Sequence, residues 1–359
     1  MRIDVTKPYL PDSDAYKNYI NQIWESGWLT NGGNLLQKLT TELTTFLGVE
    51  DLVLMSNGTI PIQMALFNLA NEGDVITTPF SYVATTSSIL WQSCKPVFVD
   101  IDPKYFTIDE LKIEDAITPK TTAILATHVF GNPCNIEVLQ EIASRHNLSL
   151  IFDAAHCFGV NYRGQSIFNY GDVSTCSFHA TKVFHTVEGG AAISTNTELL
   201  QKISYNIHFG HKGPYDFFGI GINGKMSELH AAMGLSVLPK MTAVINDRQR
   251  IVEQYKTELA ELPLGFINIR QGTKWNFSYF PITFETEDRL TKTVSDLNEK
   301  YIFPRRYFYP SLNTIHYING DKMPISEDIS SRVLCLPLFF GLDPDDISRI
   351  CQIIKNSLK

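Results

Sequence analysis

Short apolar runs alternate with polar or amphipathic stretches along the first two thirds of the chain. Each run has the length of one buried strand rather than of a helix. The runs cover residues 52–56, 75–78, 96–99, 122–127, 148–153, 172–177 and 191–195. Helical stretches or loops separate them, and this alternation predicts an α/β fold with a mostly parallel seven-stranded sheet and helices on both faces.

Two amphipathic helices are predicted before the first run. The first covers residues 12–28, with Asp12 as a candidate N-cap, and the second runs from Asn34 to Leu47 and ends at Gly48. The glycine-rich stretch between them is typical of a connection that needs unusual backbone angles.

The pattern changes after Gly234. A long helix is predicted over residues 238–262, and strands over residues 277–284 and 333–336. Further helices are predicted over residues 289–300 and 344–357. These elements indicate a smaller C-terminal α/β domain, so we divide the chain into a large domain of residues 1–240 and a small domain of residues 241–359.

Composition limits the possible classes of protein. The 359 residues carry a formal net charge of −8, which gives no electrostatic basis for nucleic-acid binding. Six cysteines are scattered without CxxC pairs, which argues against a zinc module or a disulfide framework and fits a reducing compartment.

A cytoplasmic location without membrane association is expected. No apolar run approaches the ~18 residues of a membrane span. The first 11 residues also lack the apolar core of a signal peptide.

Two charged residues follow the ends of predicted strands. Asp153 closes the run at 148–153, and Lys182 lies after the run at 172–177 and before Gly189 and Gly190. In an open α/β sheet, the carboxyl ends of such strands face one ligand-binding crevice. An amine and a carboxylate in one crevice suit pyridoxal phosphate, because the lysine can condense with its aldehyde and the acid can keep its pyridine nitrogen protonated. Asp153 alone could instead be an ordinary helix cap.

A candidate phosphate site lies at Ser56-Asn-Gly-Thr59, between a strand and a helix predicted over residues 60–69. The amides of Gly58 and Thr59 would point outward at the positive end of the helix dipole. By itself this motif is more typical of a plain helix cap.

Other ligand types find less support in the chain. The spacing of His179, His185, His208 and His211 fits no zinc template, so no metal is expected. No G-x-G-x-x-G motif follows the first strand, which disfavours a dinucleotide-dependent dehydrogenase.

Three motifs carry a family resemblance: Asp153-Ala-Ala-His156, Ser177-Phe-His-Ala-Thr-Lys182 and Glu188-Gly-Gly190. In this order they resemble the DegT/DnrJ/EryC1/StrS family of sugar aminotransferases, which are pyridoxal-phosphate enzymes of fold type I. The resemblance covers nearly the whole chain and implies that Lys182 is catalytic, with a pyridoxamine phosphate form in the cycle. A related dehydratase branch has histidine at this position, so the lysine favours amino transfer.

The resemblance also implies roles for residues around the cofactor. Asp153 would bind the pyridine nitrogen, His156 would face the phenolic oxygen and Tyr82 would stack on the ring. The phosphate would be bound by Gly58, Thr59, Ser177 and, across a homodimer with shared active sites, Asn223 of the neighbouring subunit. The family's common Asn-x-Arg is Asn-Gly-Lys225 here, which leaves the role of the second basic residue open.

The implied substrates are glutamate as amino donor and a nucleotide-linked keto-sugar, with dTDP-4-keto-6-deoxy-D-glucose as the expected acceptor in surface-polysaccharide or O-antigen synthesis. Candidate substrate-binding residues are Thr30, Asn31, His185 and Arg306. Three alternatives remain open: a C3 nucleotide-sugar aminotransferase, a pyridoxal-phosphate enzyme acting on amino acids such as an aldolase, and a non-catalytic or regulatory relative that binds ligand.

Overall fold

A computed structural model describes residues 2–70, 72–318 and 320–359. Its α-helices are α1 Ser13–Ser26, α2 Asn34–Leu47, α3 Thr59–Leu69, α4 Val83–Trp91, α5 Ile136–His146, α6 Thr197–Ile207, α7 Glu228–Val237, α8 Met241–Leu259, α9 Glu287–Glu299, α10 Pro324–Arg332 and α11 Pro344–Ser357. Its strands are β1 Ile3–Asp4, β2 Leu52–Met55, β3 Asp74–Thr77, β4 Lys95–Phe98, β5 Thr121–Thr127, β6 Ser149–Asp153, β7 Asn161–Tyr162, β8 Gln165–Ser166, β9 Val173–Ser177, β10 Gly190–Ile193, β11 Gly265–Phe266, β12 Thr273–Lys274, β13 Phe280–Thr283, β14 Ile302–Phe303 and β15 Val333–Leu336.

The seven apolar runs form a single sheet with the order β2-β10-β9-β6-β5-β3-β4. Its neighbouring strands are parallel except at β10, which is antiparallel to both β2 and β9. The predicted mostly parallel seven-stranded sheet is therefore confirmed.

Alternate residues of the central strands face two different cores. Ile124 and Phe152 pack with α2 and α5 on one face of the sheet. Leu125 and Ile151, one position away on the same strands, pack with α3, α4 and α6 on the other face. Because side chains alternate along a strand, a strand covered on both faces is apolar at every position. This explains why the sequence shows continuous apolar runs.

The first two helices follow their local signals. The Asp12 side chain accepts the amides of Asp14 and Ala15 at the start of α1, and Gly27 ends that helix with φ 65°. Helix α2 has the predicted bounds. Its first amides, those of Leu35 and Leu36, donate to the buried Glu228 carboxylate at 2.8 and 3.0 Å.

A second core lies between the small antiparallel sheet β11-β13-β15 and helices α8, α9 and α11. The N-terminal strand β1 pairs with β14, so Ile3 belongs to this second core although it begins the chain. The domain boundary near residue 240 stays a prediction.

Two C-terminal elements are shorter than predicted. The helix predicted over 238–262 begins as a short 3-10 turn and is α-helical only from Met241 to Leu259. Pro263 disfavours helical angles at the residue before it. The strand predicted from residue 277 begins at Phe280, because Phe277 has φ 53° and cannot extend a strand.

The small C-terminal part packs on loops that follow the strands of the large sheet. The Asp100 carboxylate, just beyond β4, accepts the amides of Ile325 and Ser326 at the start of α10, each at 2.8 Å. Phe308 stacks on Phe130 with ring centroids 5.6 Å apart. These contacts hold the segment around residue 308 against the carboxyl edge of the large sheet.

Within the part of the chain that the structure describes, no helix combines the length and hydropathy required to cross a membrane.

Candidate active site

One cavity of about 250 Å³ opens at the carboxyl ends of β5, β6 and β9 and at the start of α3. Several predicted cofactor residues line it: Gly58, Thr59, Tyr82, Asp153, His156, Ser177 and Lys182. The sheet thus brings together residues that are up to about a third of the chain apart.

Asp153 ends β6 on the floor of this cavity and is buried. Its carboxylate accepts the Thr85 hydroxyl at 2.6 Å and the Ala155 amide at 3.1 Å. Burial raises the pKa of Asp153, and the bond from Thr85 opposes that shift. The carboxylate is therefore fixed in orientation but still lacks a full counter-charge.

Lys182 lies in the loop between β9 and β10 and is half-buried. Its Nζ atom lies 5.9 Å from the centre of the Tyr279 ring. Burial lowers the pKa of Lys182, while the negative charge of Asp153 opposes the shift. A lowered pKa increases the fraction of neutral amine, which is the nucleophilic and proton-accepting form.

His156 contributes a neutral imidazole to the cavity wall. Its Nδ1 atom accepts the Phe130 amide at 3.1 Å, so the ring proton of the neutral form is on Nε2. Burial keeps the pKa of His156 well below its usual value. The Nε2–H group is thus available as a hydrogen-bond donor toward a ligand.

The predicted phosphate site is a close contact between the start of α3 and the end of β9. A side chain on Gly58 would place its Cβ 2.5 Å from Ser177 Cβ, so glycine is required by this approach. The amides of Thr59 and Ile60 donate to Asn57 Oδ1 at 2.9 and 3.1 Å. The Thr59 amide is therefore already bonded within the chain, and Thr59 presents its side chain to the cavity.

The cavity residues fit pyridoxal phosphate. An oriented carboxylate, an amine and an imidazole donor line one wall, and the narrow Gly58–Ser177 contact lies at the positive end of helix α3. Tyr82 is 53% exposed and lines the same cavity, so its ring is available for stacking.

Sequence reasoning missed several residues of this cavity. Asn57 lies inside the Ser56-Asn-Gly-Thr59 motif, and the buried Thr85 bonds Asp153 from outside the cavity lining. Both side chains make bonds that depend on the folded loop geometry. The C-terminal part supplies others, far away in the sequence: Tyr279, Arg305, Tyr307 and Phe308. No local pattern marks these as cavity residues, because only the packing of the small part brings them there.

The arginine prediction needs a correction. Arg306 donates to Glu287 and to the Ser331 carbonyl, each at 2.6 Å, and it does not line the cavity. Its neighbour Arg305 lines the cavity instead. Of the two adjacent arginines, one is therefore paired within the protein and the other faces the ligand space.

His185 is also outside the cavity lining. It is buried, its Nε2 atom lies 2.7 Å from the Tyr9 carbonyl oxygen, and its Nδ1 atom accepts the Val187 amide. Both ring nitrogens are used, so this side chain holds the lysine loop to the N-terminal segment. His185 therefore has no ring nitrogen free for a substrate contact.

Three further candidates lie away from the cavity of this chain. Thr30 and Asn31 are exposed in the loop between α1 and α2. Asn223 is exposed, and its side-chain oxygen accepts a bond from Lys225 at 2.6 Å. None of these three residues lines the cavity.

Among residues 2–70, 72–318 and 320–359, no group of three or more His, Cys, Asp or Glu side chains could hold a metal ion. All six cysteines are buried and free.

The model of the DegT/DnrJ/EryC1/StrS aminotransferase family matches residues 12–355, which is nearly the whole chain. This protein belongs to that family. Its enzyme class and its cofactor, pyridoxal phosphate, follow from this membership, and both predictions are confirmed.

Named relatives are similar over their full length. The chain is 42% identical over 360 residues to dTDP-4-amino-4,6-dideoxy-D-glucose transaminase of Shigella dysenteriae, covering 98% of each chain. It is 38% identical to the Escherichia coli protein of the same name, again with 98% of each chain covered. GDP-perosamine synthase of Vibrio cholerae is 30% identical, with 99% of this chain and 98% of the relative covered.

Solved structures agree with the fold. A crystal structure of DesI with its TDP-sugar product superposes with a TM-score of 0.94 at 30% identity, covering 100% of this chain and 93% of that one. The Helicobacter pylori aminotransferase PseC superposes with a TM-score of 0.92 at 24% identity, covering 100% and 99%. The predicted fold-type-I architecture is confirmed.

Proposed function

We propose that this protein transfers an amino group from glutamate to dTDP-4-keto-6-deoxy-D-glucose, giving dTDP-4-amino-4,6-dideoxy-D-glucose. The similarity to the Shigella dysenteriae transaminase along 98% of both chains carries this proposal. The complete set of Lys182, Asp153 and His156 in one cavity supports it. In this proposal the enzyme works in the cytoplasm, and its product enters surface-polysaccharide synthesis.

Lys182 carries the proton-transfer step. When bound, pyridoxal phosphate supplies an electron-withdrawing ring that stabilises negative charge on the reacting carbon. With its pKa lowered by burial, the Lys182 amine takes a proton from the donor and returns one to the acceptor. The Tyr279 ring beside Nζ restricts where this amine can move.

The other cavity residues hold and tune the cofactor. Asp153, fixed by Thr85 and Ala155, would keep the pyridine nitrogen protonated, and His156 Nε2–H would donate to the phenolic oxygen. Ser177, Gly58 and Thr59 line the cavity and would hold the phosphate. Arg305, which lines the outer wall, is suited to the substrate diphosphate because a guanidinium can bind it with two parallel bonds.

The proposal includes a homodimer with shared active sites. The segment from residue 209 to residue 222 exposes large apolar side chains, and such patches are typical of protein contacts. Among them Tyr215 is 97% exposed, Phe217 61% and Ile220 76%. Asn223 follows this segment, and in the dimer it reaches the partner's phosphate site. Sedimentation analysis tests this, and a monomer would contradict it.

The visible spectrum of the protein with pyridoxal phosphate tests both half-reactions. We expect a band from the cofactor joined to Lys182, loss of that band with glutamate, and its return with dTDP-4-keto-6-deoxy-D-glucose. Lys182→Ala removes the amine, so it should abolish turnover while circular dichroism and the thermal midpoint stay close to wild type.

The same experiment with other keto-sugars, together with analysis of the product, distinguishes the proposed reaction from the alternative functions. Bleaching by glutamate without recovery, or recovery only with a GDP-linked keto-sugar, would reject the proposed acceptor. An amine at C3 in the product would reject the position of transfer. Ligand binding without any bleaching would favour a non-catalytic relative, and appreciable turnover by Lys182→Ala would refute the role of the lysine.

A further inference from the structure

Thr127 ends β5 at the edge of the cavity, directly beside Asp153 on the neighbouring strand. The two residues are paired in the register of β5 and β6. Thr127 is 5% exposed, and its hydroxyl oxygen is buried without a hydrogen-bond partner. A buried hydroxyl normally finds a partner, since leaving it unpaired costs free energy.

The environment of Thr127 differs from that of other unpartnered hydroxyls. Among the described residues, Thr127 is the only one that both lines the cavity and has a buried polar side-chain atom without a hydrogen-bond partner. Thr107 also has such a hydroxyl and is fully buried, but it does not line the cavity. Thr127 thus lines the cavity and carries a hydroxyl that no protein group bonds.

Protein groups do not use the Thr127 hydroxyl even though a carboxylate lies nearby. Asp153 is bonded to the Thr85 hydroxyl and to the Ala155 amide, which leaves its remaining capacity for a ligand. His156 is held by the amide of Phe130, which lies three residues after Thr127. Thr127 and the imidazole thus lie on the same side of Asp153, the side of β5.

We propose that Thr127 is a positioning residue whose hydroxyl donates a second hydrogen bond to the phenolic oxygen of pyridoxal phosphate, beside the bond from His156. The inference rests on the ring orientation proposed above, in which Asp153 meets the pyridine nitrogen. In that orientation the phenolic oxygen would lie on the His156 side of the pyridine nitrogen. Thr127, the register partner of Asp153, ends the strand on this side of the cavity.

The bond has a consequence that a spectrum can measure. A donor to the phenolic oxygen stabilises its negative charge, which lowers the affinity of the adjacent nitrogen for a proton. Removing the donor should therefore raise the pH midpoint of the visible transition of the bound cofactor. A merely structural threonine would leave this midpoint unchanged.

Thr127→Val is the decisive variant, since valine has nearly the same shape and no hydroxyl. We expect the midpoint of the holoenzyme to rise by about one pH unit. We expect the dissociation constant for pyridoxal phosphate to rise roughly tenfold, measured by equilibrium dialysis. Thr127→Ser keeps the hydroxyl and should stay close to wild type in both measurements.

Thr107→Val is the matched control, because it removes a buried unpartnered hydroxyl outside the cavity. It should leave the spectral midpoint and the cofactor affinity unchanged. A Thr127→Val midpoint equal to that of wild type would overturn this inference while the proposed function stood. A wild-type protein without any visible cofactor band would overturn both.

Discussion

Asp153 and Lys182 share one cavity and have pKa values shifted in opposite directions, and burial is the first cause of both shifts. Burial favours the neutral form of each group. The charge of either residue favours the charged form of the other, but it does not cancel the effect of burial. The cavity therefore holds a lysine ready to lose its proton beside an acid that gains from a cationic ligand.

Asp153→Asn should separate stability from cofactor binding. The amide can keep both protein bonds, because Oδ1 accepts from Ala155 while Nδ2 donates to the Thr85 hydroxyl. Folding then no longer desolvates a carboxylate, so the cofactor-free variant should melt higher by about 2 °C at neutral pH. The loss of a charged acceptor should weaken pyridoxal phosphate binding by roughly tenfold or more.

The pH dependence gives this prediction its sign. The folded-state pKa of Asp153 is raised, so its charged form costs stability above that pKa, and the cost disappears as pH falls through it. The stability gain of Asp153→Asn should accordingly shrink toward low pH in thermal unfolding of the cofactor-free protein. A gain that grows on acidification would contradict the shift.

The adjacent arginines show the limit of residue-level prediction. Arg305 pairs with Cys335 through both backbone groups, at 3.1 and 2.8 Å. Successive side chains of an extended segment point in opposite directions, so this pairing decides that Arg305 faces the cavity and Arg306 faces Glu287. The sequence shows two adjacent arginines, but which of them faces the cavity depends on a strand that follows about thirty residues later.

At the scale of elements, α3 and β9 approach each other closely at the site. A Cβ on residue 58 would lie 2.5 Å from Ser177 Cβ and 2.6 Å from Ser177 Oγ. The start of the helix therefore fits against the strand only because glycine has no side chain. The proposed phosphate site depends on this approach.

Gly58→Ala should displace the start of α3 and weaken both the fold and the site. We expect a loss of about 2 kcal/mol in the free energy of unfolding. Cofactor affinity should fall roughly tenfold, because Thr59 and Ser177 no longer converge on the cavity. Chemical denaturation and equilibrium dialysis measure the two effects.

Ser177→Gly in the Gly58→Ala background tests whether the clash with Ser177 causes the loss of stability. It removes the two nearest clashing atoms, so part of the lost stability should return relative to the sum of the single variants. Additive effects of the two substitutions would mean that the clash does not explain the loss.

Elements whose signals are local could be predicted closely. Helices α2 and α11 have the predicted bounds, because an apolar stripe and end residues such as Gly48 and Pro344 act within each segment. Helix α10 was not predicted. Its first amides are bonded by Asp100, more than two hundred residues earlier, and no short window contains both partners.

At the scale of the whole molecule, Asp100 joins the large sheet to the small C-terminal part. Besides the amides of Ile325 and Ser326, it accepts the Ser326 hydroxyl at 2.6 Å. The carboxylate is buried and lies at the positive end of α10. It stabilises the helix start and the contact between the two parts together.

Asp100→Ala should cost about 2–4 kcal/mol of unfolding free energy, since it leaves buried amides without a partner. Asp102→Ala is the matched control. Asp102 accepts the amides of Lys104 and Tyr105 in an exposed local turn, so its loss should cost much less. Equal losses in chemical denaturation would argue against a special role for the contact across the two parts.

The antiparallel strand β10 has a consequence for the order in which the enzyme assembles. The first strand of the large sheet, β2, lies at its edge beside β10, the last of its strands in the chain. Ser177 and Gly190 are register partners, so the loop that carries Lys182 is closed by a short-range hairpin. The Gly58–Ser177 contact instead requires the pairing of β2 with β10, which are more than a hundred residues apart in the chain. Pairings between such distant segments form slowly. During synthesis the hairpin that carries Lys182 can close as soon as residue 193 has emerged. The proposed phosphate site forms only when β2 has also paired with β10.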